Sequence, residues 1–270
     1  MKTNVNAREP PRLIIVCADD FGANEPASNA IIELAGRSAI SATSCLVHAP
    51  AAATHASRLK SAAPSVSIGL HLDFTEFAPD SIRATLHRWL LTGFVLRNID
   101  RAGALSEIRR QLQRFEDLFA SPPAYIDGHS HVHQIPGIRE PLLQEMSDRY
   151  GRSVAIRSTW GAEHTGTKSR FIQELGGRTM RALIARAGMH CNADFAGAYD
   201  FSTDRPFPSR MDNWLRHLRD GGMVMCHPEY PQHPEHPRNA REAEYCFFAS
   251  PAWPQMQADQ NIRLQPFSAR

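Results

Sequence analysis

Short apolar runs alternate with amphipathic stretches along most of the chain, and this alternation limits the fold more than any other feature. The run "LIIVC" at 13–17 has the composition of a buried strand and leads into acidic residues and a glycine. The stretch 25–40 has apolar residues at helical spacing, and further strand-like runs lie at 42–49 and 65–74. Strand–helix–strand alternation predicts a parallel sheet covered by helices.

The later part of the chain continues the pattern, with one interruption. We predict further helices at 104–120, 137–151 and about 170–187, and further strands at 124–133, 153–158 and 221–230. Residues 77–100 fit neither pattern, and 231–258 suggests a loop followed by a short helix. The chain has 270 residues, 42% of them hydrophobic, which suits one large α/β domain over 1–270. We expect 1–11 and 260–270 to be peripheral.

Composition narrows the class of protein. A formal charge of +2 does not call for nucleic acid or an anionic membrane as partner. Five cysteines with no C-x-x-C pair do not resemble a disulfide framework, which favours a reducing compartment. No apolar run is long enough for a signal peptide or a membrane span. We therefore expect a soluble, cytoplasmic protein without membrane insertion.

Polar side chains gather where four of the predicted strands end. Carboxyl ends of parallel strands lie on one face, where active sites of β/α folds are built. Residues far apart in sequence are therefore expected to form one site. The four groups are Asp19–Asp20, His71–Asp73, Asp127–His133 and His227.

The stretch "DGHSHVHQ" places one acid and three histidines on alternate residues. In an extended segment such residues share a face, and four polar side chains are unfavourable against an apolar core. They span about 20 Å, so only one or two can bind a single ion. The residues are Asp127, His129, His131 and His133.

Each group also has a structural explanation. "HSHVH" could be a solvated loop, "ADDFG" a strand-end turn or helix cap, and His71 a hydrogen-bonded core histidine. His227, next to Pro228, could belong to a turn. The four groups together favour a functional site more strongly than any one of them.

Four motifs follow one another along the chain: "VCADDFG" at 16–22, "IGLHLDF" at 68–74, "YIDGHSHVH" at 125–133 and "VMCHPEY" at 224–230. In this order, and together with "AIRS" at Arg157, they resemble the YdjC-like (ChbG/HpnK-like) carbohydrate deacetylase family. "VCADD" stands where the family more often has Asn-Ala-Asp-Asp, and "DGH" where it has Asp-Ser-His. The loop after "HLDF" is shorter than in chitooligosaccharide-acting members, and relatives associated with hopanoid synthesis share the motifs.

The resemblance implies a distorted, TIM-like β/α barrel that binds one divalent metal ion and hydrolyses the N-acetyl group of chitin-derived oligosaccharides. By position, the metal ligands would be Asp20, His71 and His129. Asp19 matches the acid beside the metal, and His227 matches the late histidine. Two nitrogen ligands suit Zn²⁺, whereas Mg²⁺, common in the family, generally prefers oxygen, so both stay open.

The chemistry of an amide hydrolase suggests roles for the other residues. Asp19 is a candidate general base, Arg157 a candidate to orient it, and His227 a candidate acid for the leaving amine. Contacts with the ligands or the substrate are expected from Asp73, Asp127, His131 and His133.

Three alternatives stay open at this stage. The chain could be a hydrolase of another bond such as a phosphoester, a hopanoid-associated hydrolase of the same family, or a non-catalytic sugar-binding barrel. The expected partner is a small carbohydrate; a homodimer is compatible, and nucleic-acid binding has no basic, aromatic-rich segment to support it.

Overall fold

The computed structural model describes residues 9–161, 167–233 and 237–269. Within them the strands form one curled, wholly parallel sheet in the order β5-β4-β3-β2-β1-β7-β6, with β8 added beside β1. The strands are β1 (Arg12–Phe21), β2 (Ala42–Cys45), β3 (Ser67–Leu72), β4 (Tyr125–Gly128), β5 (Ala155–Ile156), β6 (Phe195–Ala196), β7 (Met223–Cys226) and β8 (Ile262–Leu264).

Helices connect the strands and cover the outer face of the sheet. They are α1 (Glu25–Gly36), α2 (Ala52–Ala62), α3 (Leu86–Leu90), α4 (Arg101–Phe119), α5 (Arg139–Tyr150), α6 (Thr167–Ile172), α7 (Arg178–Arg186), α8 (Phe207–His217), α9 (Ala240–Ala249) and α10 (Ala252–Asp259). Helix α4 shows how the sequence specifies these helices. Its apolar stripe is buried. At its N-terminus, the Asp100 carboxylate accepts a hydrogen bond from the Ala102 N–H.

The curled sheet does not close into a regular barrel. Among the described residues no strand ladder joins β5 to β6. Single hydrogen bonds cross the gap, from the Ile156 N–H to the His190 carbonyl and from Asn192 Nδ2 to the Ser158 carbonyl. The predicted distorted β/α barrel in a single α/β domain is therefore confirmed.

Strand β1 illustrates how the two faces of the sheet differ. Ile14, Val16 and Ala18 belong to the large apolar cluster that packs against the helices. Ile15 and Cys17 belong to a smaller cluster with residues of β4, β6 and β7. Because side chains alternate along a strand, Asp19 lies on the same face as Cys17, and its Oδ1 is 3.4 Å from the Cys17 sulfur. The alternation thus brings the first acid of "ADDFG" to the inside of the curl.

Two expectations from the sequence need correction. Residues 260–269 are not peripheral, because Ile262–Leu264 pairs with β1 and the Phe267 ring packs 4.7 Å from that of Tyr125. Residues 231–258 hold two helices, α9 and α10, rather than one.

Some of the expectations fall outside the described residues, namely those for 1–8, 234–236 and 270. The previously unplaced segment 77–100 forms a loop, the short α3 and a π-helical turn at Leu91–Leu96. No helix in the described part of the chain combines the length and apolar character that crossing a bilayer requires.

Candidate metal centre

A cavity of about 410 Å³ opens at the carboxyl ends of the strands. Six side chains proposed from the sequence line it: Asp19, Asp20, His71, His129, His131 and His227. Parallel pairing explains the convergence, since β3, β1 and β7 end at the same edge of the sheet. The cavity agrees with the expectation that motifs distant in sequence meet at one edge of the sheet.

The histidine-rich segment is not extended, which overturns the expectation of a shared face. Strand β4 ends at Gly128, opposite the last residue of β3, and the chain then turns through a 3₁₀ segment, His129–Gln134. Ser130 and His131 adopt left-handed conformations with φ of 50° and 60°. The turn is tight, because a Cβ added at Gly128 would lie 2.8 Å from the main-chain nitrogen of His133. The histidines therefore point in different directions.

Three side chains form a group with the geometry of a metal site. Asp20 Oδ1 lies 3.5 Å from His71 Nε2 and 3.1 Å from His129 Nδ1. Donor atoms that bind one ion at about 2.1 Å lie roughly 3.0–3.4 Å apart in octahedral or tetrahedral coordination. The donor atoms of the three residues all lie within 4.8 Å of one another. The residues present thus fit one divalent ion.

The backbone aims Asp20 toward this group. Asp20 has φ of 66°, a left-handed conformation that few non-glycine residues adopt, so it departs from the strand alternation that governs Asp19. Burial acts to raise the pKa of Asp20, but hydrogen bonds from the His129 and His71 rings outweigh it and hold the pKa well below its usual range. A charged Asp20 is suited to bind a cation.

Asp20 has a further partner that the sequence did not reveal. Arg241, near the start of α9, places Nη1 2.9 Å from Asp20 Oδ2. Its guanidinium also lies 5.4 Å from the centre of the Phe201 ring. Arg241 therefore contacts the carboxylate oxygen that does not face the histidines.

The His71 ring is held from behind by Asp127. Asp127 Oδ1 lies 2.5 Å from His71 Nδ1, and the Ser44 hydroxyl lies 3.1 Å from the same nitrogen. Burial acts to lower the pKa of His71, but the carboxylates of Asp127 and Asp19 outweigh it and raise the pKa to about 10. A metal ion bound at Nε2 would have to displace a proton, as metal binding to histidine generally does.

Arg157 is completely buried and bridges two carboxylates. Nη1 and Nη2 each lie 2.6 Å from an oxygen of Asp19, and Nη2 also lies 2.6 Å from Asp127 Oδ2. Burial acts to raise the pKa of Asp19, but the Arg157 guanidinium holds it far below its usual range. Donor atoms of Cys17, Asp19 and Asp127 also lie close together, but here the cation is the guanidinium itself.

His227 follows β7 and is supported by a buried acid. Burial lowers its pKa to about 4, although the Asp20 and Asp19 carboxylates act to raise it, so the ring is neutral near pH 7. Within the described part of the chain, Nδ1 of His227 is buried without a hydrogen-bond partner. The main-chain N–H of His227 donates to Glu244 Oε2, and the Tyr199 hydroxyl donates to Glu244 Oε1 at 2.5 Å.

The three other residues named from the sequence have different surroundings. His131 lines the cavity, and its Nδ1 is buried and unpartnered among the described residues. His133 is buried behind it, with Nε2 3.2 Å from the Arg157 carbonyl oxygen. Asp73 faces its own loop rather than the cavity, and it accepts hydrogen bonds from the main chain of Thr75–Ala78.

Glu244, Arg241 and Glu76 were missed because their roles come from partners distant in sequence. Of the three, Glu244 had a signal in the sequence, because helical spacing puts it on the same side as the apolar Phe247 and Phe248. The side chains of Glu244, Phe247 and Phe248 are all buried in the structure. Burial raises the pKa of Glu244 to about 7, although hydrogen bonds from Tyr199 and the His227 N–H act to lower it.

We expect Glu244→Gln to remove a pH dependence of stability. Because its pKa is higher in the folded than in the unfolded chain, protonated Glu244 stabilises the fold fully below pH 4.5 and loses that effect as pH rises through 7. Glutamine imitates the protonated acid. Between pH 5 and 8 the free energy of unfolding of the variant should therefore gain ~1–3 kcal/mol relative to the parent protein, measured by urea titration. If the free energies of unfolding of variant and parent differ by the same amount at pH 5 and pH 8, the expectation is wrong.

Comparison with known proteins agrees with the motifs. A family model described as "YdjC-like protein" matches residues 13–259. The chitooligosaccharide deacetylase of Enterobacter sp. (strain 638) is 33% identical over 165 residues, which cover 59% of this chain and 65% of that protein. The chitooligosaccharide deacetylase of Klebsiella pneumoniae (strain 342) is 27% identical over 225 residues, 81% of this chain and 82% of the relative. The chain thus matches slightly under two thirds of the Enterobacter protein.

Solved structures share the architecture at low sequence identity. A protein of Enterococcus faecalis V583, to which cellobiose-phosphate cleavage has been ascribed, superposes with a TM-score of 0.68 at 16% identity, covering 95% of this chain and 98% of the other. A family 4 acetyl xylan esterase from Clostridium thermocellum, solved with a cobalt ion, gives 0.50 at 10% identity, covering 94% and 88%. At such identities these matches concern the fold alone.

Proposed function

Since this chain belongs to the YdjC-like family, we propose that it is a metal-dependent hydrolase that removes the N-acetyl group from a chitin-derived oligosaccharide. One observation carries the proposal: Asp20, His71 and His129 converge in a cavity that also holds Asp19 and His227. Binding a sugar alone would need neither a buried ligand set nor a carboxylate fixed by a buried arginine. The names of the Enterobacter and Klebsiella relatives support the same substrate class.

The metal would be held by Asp20, His71 and His129. Bound there, a divalent ion supplies Lewis acidity, which lowers the pKa of water and polarises an amide carbonyl. Two nitrogens and one carboxylate oxygen suit Zn²⁺, while Mg²⁺ generally prefers oxygen ligands. We leave the ion open between these two.

Asp19 is the proposed general base of the reaction. Arg157 holds both of its oxygens and fixes its orientation toward the inside of the curl. The same ion pair makes Asp19 a weak base, so a proton taken from water would be held briefly and passed on. His131, which lines the cavity, is the proposed contact for a polar group of the sugar.

His227 is the proposed acid for the departing amine. It is neutral at rest, so it must gain a proton during the reaction before donating one. The low pKa makes its protonated form a strong acid, which favours rapid transfer to a basic amine. Glu244 fixes the main chain at His227 through the N–H, and this contact keeps the ring at the cavity wall.

The location of the protein is also part of the proposal. Within the described residues none of the five cysteines forms a disulfide, and three of them are buried. Free thiols persist in reducing compartments, so we propose that the protein acts in the cytoplasm on a soluble oligosaccharide.

Acetate release tests the proposed function. Incubated with N,N′-diacetylchitobiose or its longer homologues and either Zn²⁺ or Mg²⁺, the protein should release acetate and leave a free amine on the sugar. The matched control is the double variant His71→Ala, His129→Ala, which should release none and should not bind the ion. Acetate release by that variant at the parent rate would contradict the proposed site, and no release by the parent protein would contradict the substrate class.

A further inference from the structure

The side chain of Glu76 lies against a proposed metal ligand. Its Oε2 is 3.2 Å from His129 Nε2, while His129 Nδ1 is 3.1 Å from Asp20 Oδ1. The two ring nitrogens of His129 thus face two different carboxylates. Glu76 lines the cavity, and its side chain keeps 59% of its full exposure.

The two histidines of the proposed site contact their supporting carboxylates through opposite ring nitrogens. A neutral imidazole carries one N–H, and a carboxylate beside one nitrogen favours the proton there and leaves the lone pair on the other. In His71 the carboxylate of Asp127 is at Nδ1, so Nε2 faces Asp20. In His129 the carboxylate of Glu76 is at Nε2, so Nδ1 faces Asp20.

The loop that carries Glu76 is fixed by a buried acid. The Asp73 carboxylate accepts hydrogen bonds from the N–H groups of Thr75, Glu76, Phe77 and Ala78, at distances of 2.6–3.2 Å. Gln111, on α4, holds the main chain of Asp73 through both its N–H and its carbonyl. The position of Glu76 is therefore set by four main-chain hydrogen bonds anchored to a helix.

We propose that Glu76 is a positioning residue that fixes the Nε2–H tautomer of His129 and so directs its Nδ1 to the metal ion. The inference rests on the metal site in the proposed function and adds a residue outside the ligand set. It also gives Asp73 a function, since Asp73 shapes the loop that presents Glu76.

Calorimetric titration of the 270-residue chain with Zn²⁺ tests the role. Glu76→Ala should weaken binding by about 10–100-fold, the usual effect of losing the partner of a ligand histidine. Glu76→Gln should lose less, because the amide oxygen still accepts a hydrogen bond from Nε2–H. Asp80→Asn is the matched control: it removes the same charge from the same loop, but Asp80 is 87% exposed and pairs with Arg83, so Zn²⁺ affinity should be unchanged.

A second measurement follows the ring itself. In Zn²⁺-loaded protein labelled with ¹⁵N-histidine, the side-chain nitrogen shifts of His129 should show a protonated Nε2 and an unprotonated Nδ1, and Glu76→Ala should lower the population of that form. Equal losses of affinity in Glu76→Ala and Asp80→Asn, or unchanged binding by Glu76→Ala, would overturn the inference while leaving the metal site in place. Failure of the parent protein to bind Zn²⁺ would overturn both the inference and this choice of ligands.

Discussion

Replacing Asp19 with asparagine should lower the turnover of acetylated oligosaccharide by about 10²–10⁴-fold, the usual effect of removing a general base. The amide has nearly the same shape as the carboxylate, but it cannot accept a proton from water near neutral pH. The ion should stay bound, because the proposed ligand of the adjacent pair is Asp20. Turnover, metal content and melting temperature of the parent protein and variant check the three parts of the expectation.

Asp194→Asn is the matched control for this variant. Asp194 is also buried and also forms a two-pronged ion pair with an arginine, Arg219, through Nε at 2.8 Å and Nη2 at 2.5 Å. It precedes β6, so it lies at the opposite edge of the sheet from the cavity. Asp194→Asn should keep its turnover. Loss of the ion in Asp19→Asn would instead show that the roles of Asp19 and Asp20 are reversed.

Replacing Arg157 with methionine should destabilise the fold by about 3–5 kcal/mol, because removal of one partner leaves buried charge uncompensated. Asp19 and Asp127 would both lose the guanidinium, and both side chains are buried. The loss is measured as the free energy of unfolding in urea at pH 7.5.

Arg219→Met provides the comparison for this loss. The side chain of Arg219 is 71% exposed although its partner Asp194 is buried, so water can replace much of what the arginine supplies. Its loss should cost ~0–1 kcal/mol. Similar losses of unfolding free energy in Arg157→Met and Arg219→Met would mean that burial does not make the Arg157 ion pairs more stabilising than the exposed Arg219 pair.

The sequence was sufficient to place the main site residues together. Polar residues following apolar runs marked the strand ends, and parallel topology then required Asp19, His71 and His227 to meet. The direction of each side chain was not predictable in the same way. Alternation correctly describes Asp19 within β1 but fails one residue later, because Asp20 has a left-handed backbone conformation.

The histidine-rich segment shows the same limit. The pattern of "DGHSHVH" satisfies the alternation of a strand, yet β3 offers no partner beyond Leu72, so the segment turns at Gly128. Arg241 and Glu244 could not be placed for another reason. Their partners are Asp20, in β1, and His227, directly after β7. Both contacts form only because α9 packs beside the ends of these strands, and the sequence does not specify that packing.

The place of β1 in the sheet has a consequence for how the protein is made. Its residues Cys17 and Ala18 pair with β2 on one side and with β7, about 200 residues later in the sequence, on the other. A ribosome therefore delivers the central strand early and its second neighbour late, and β8 arrives later still. Domains complete their folding only when such distant contacts can form. During synthesis the hydrogen-bonding edge of β1 that faces β7 therefore stays unpaired until most of the chain has been made.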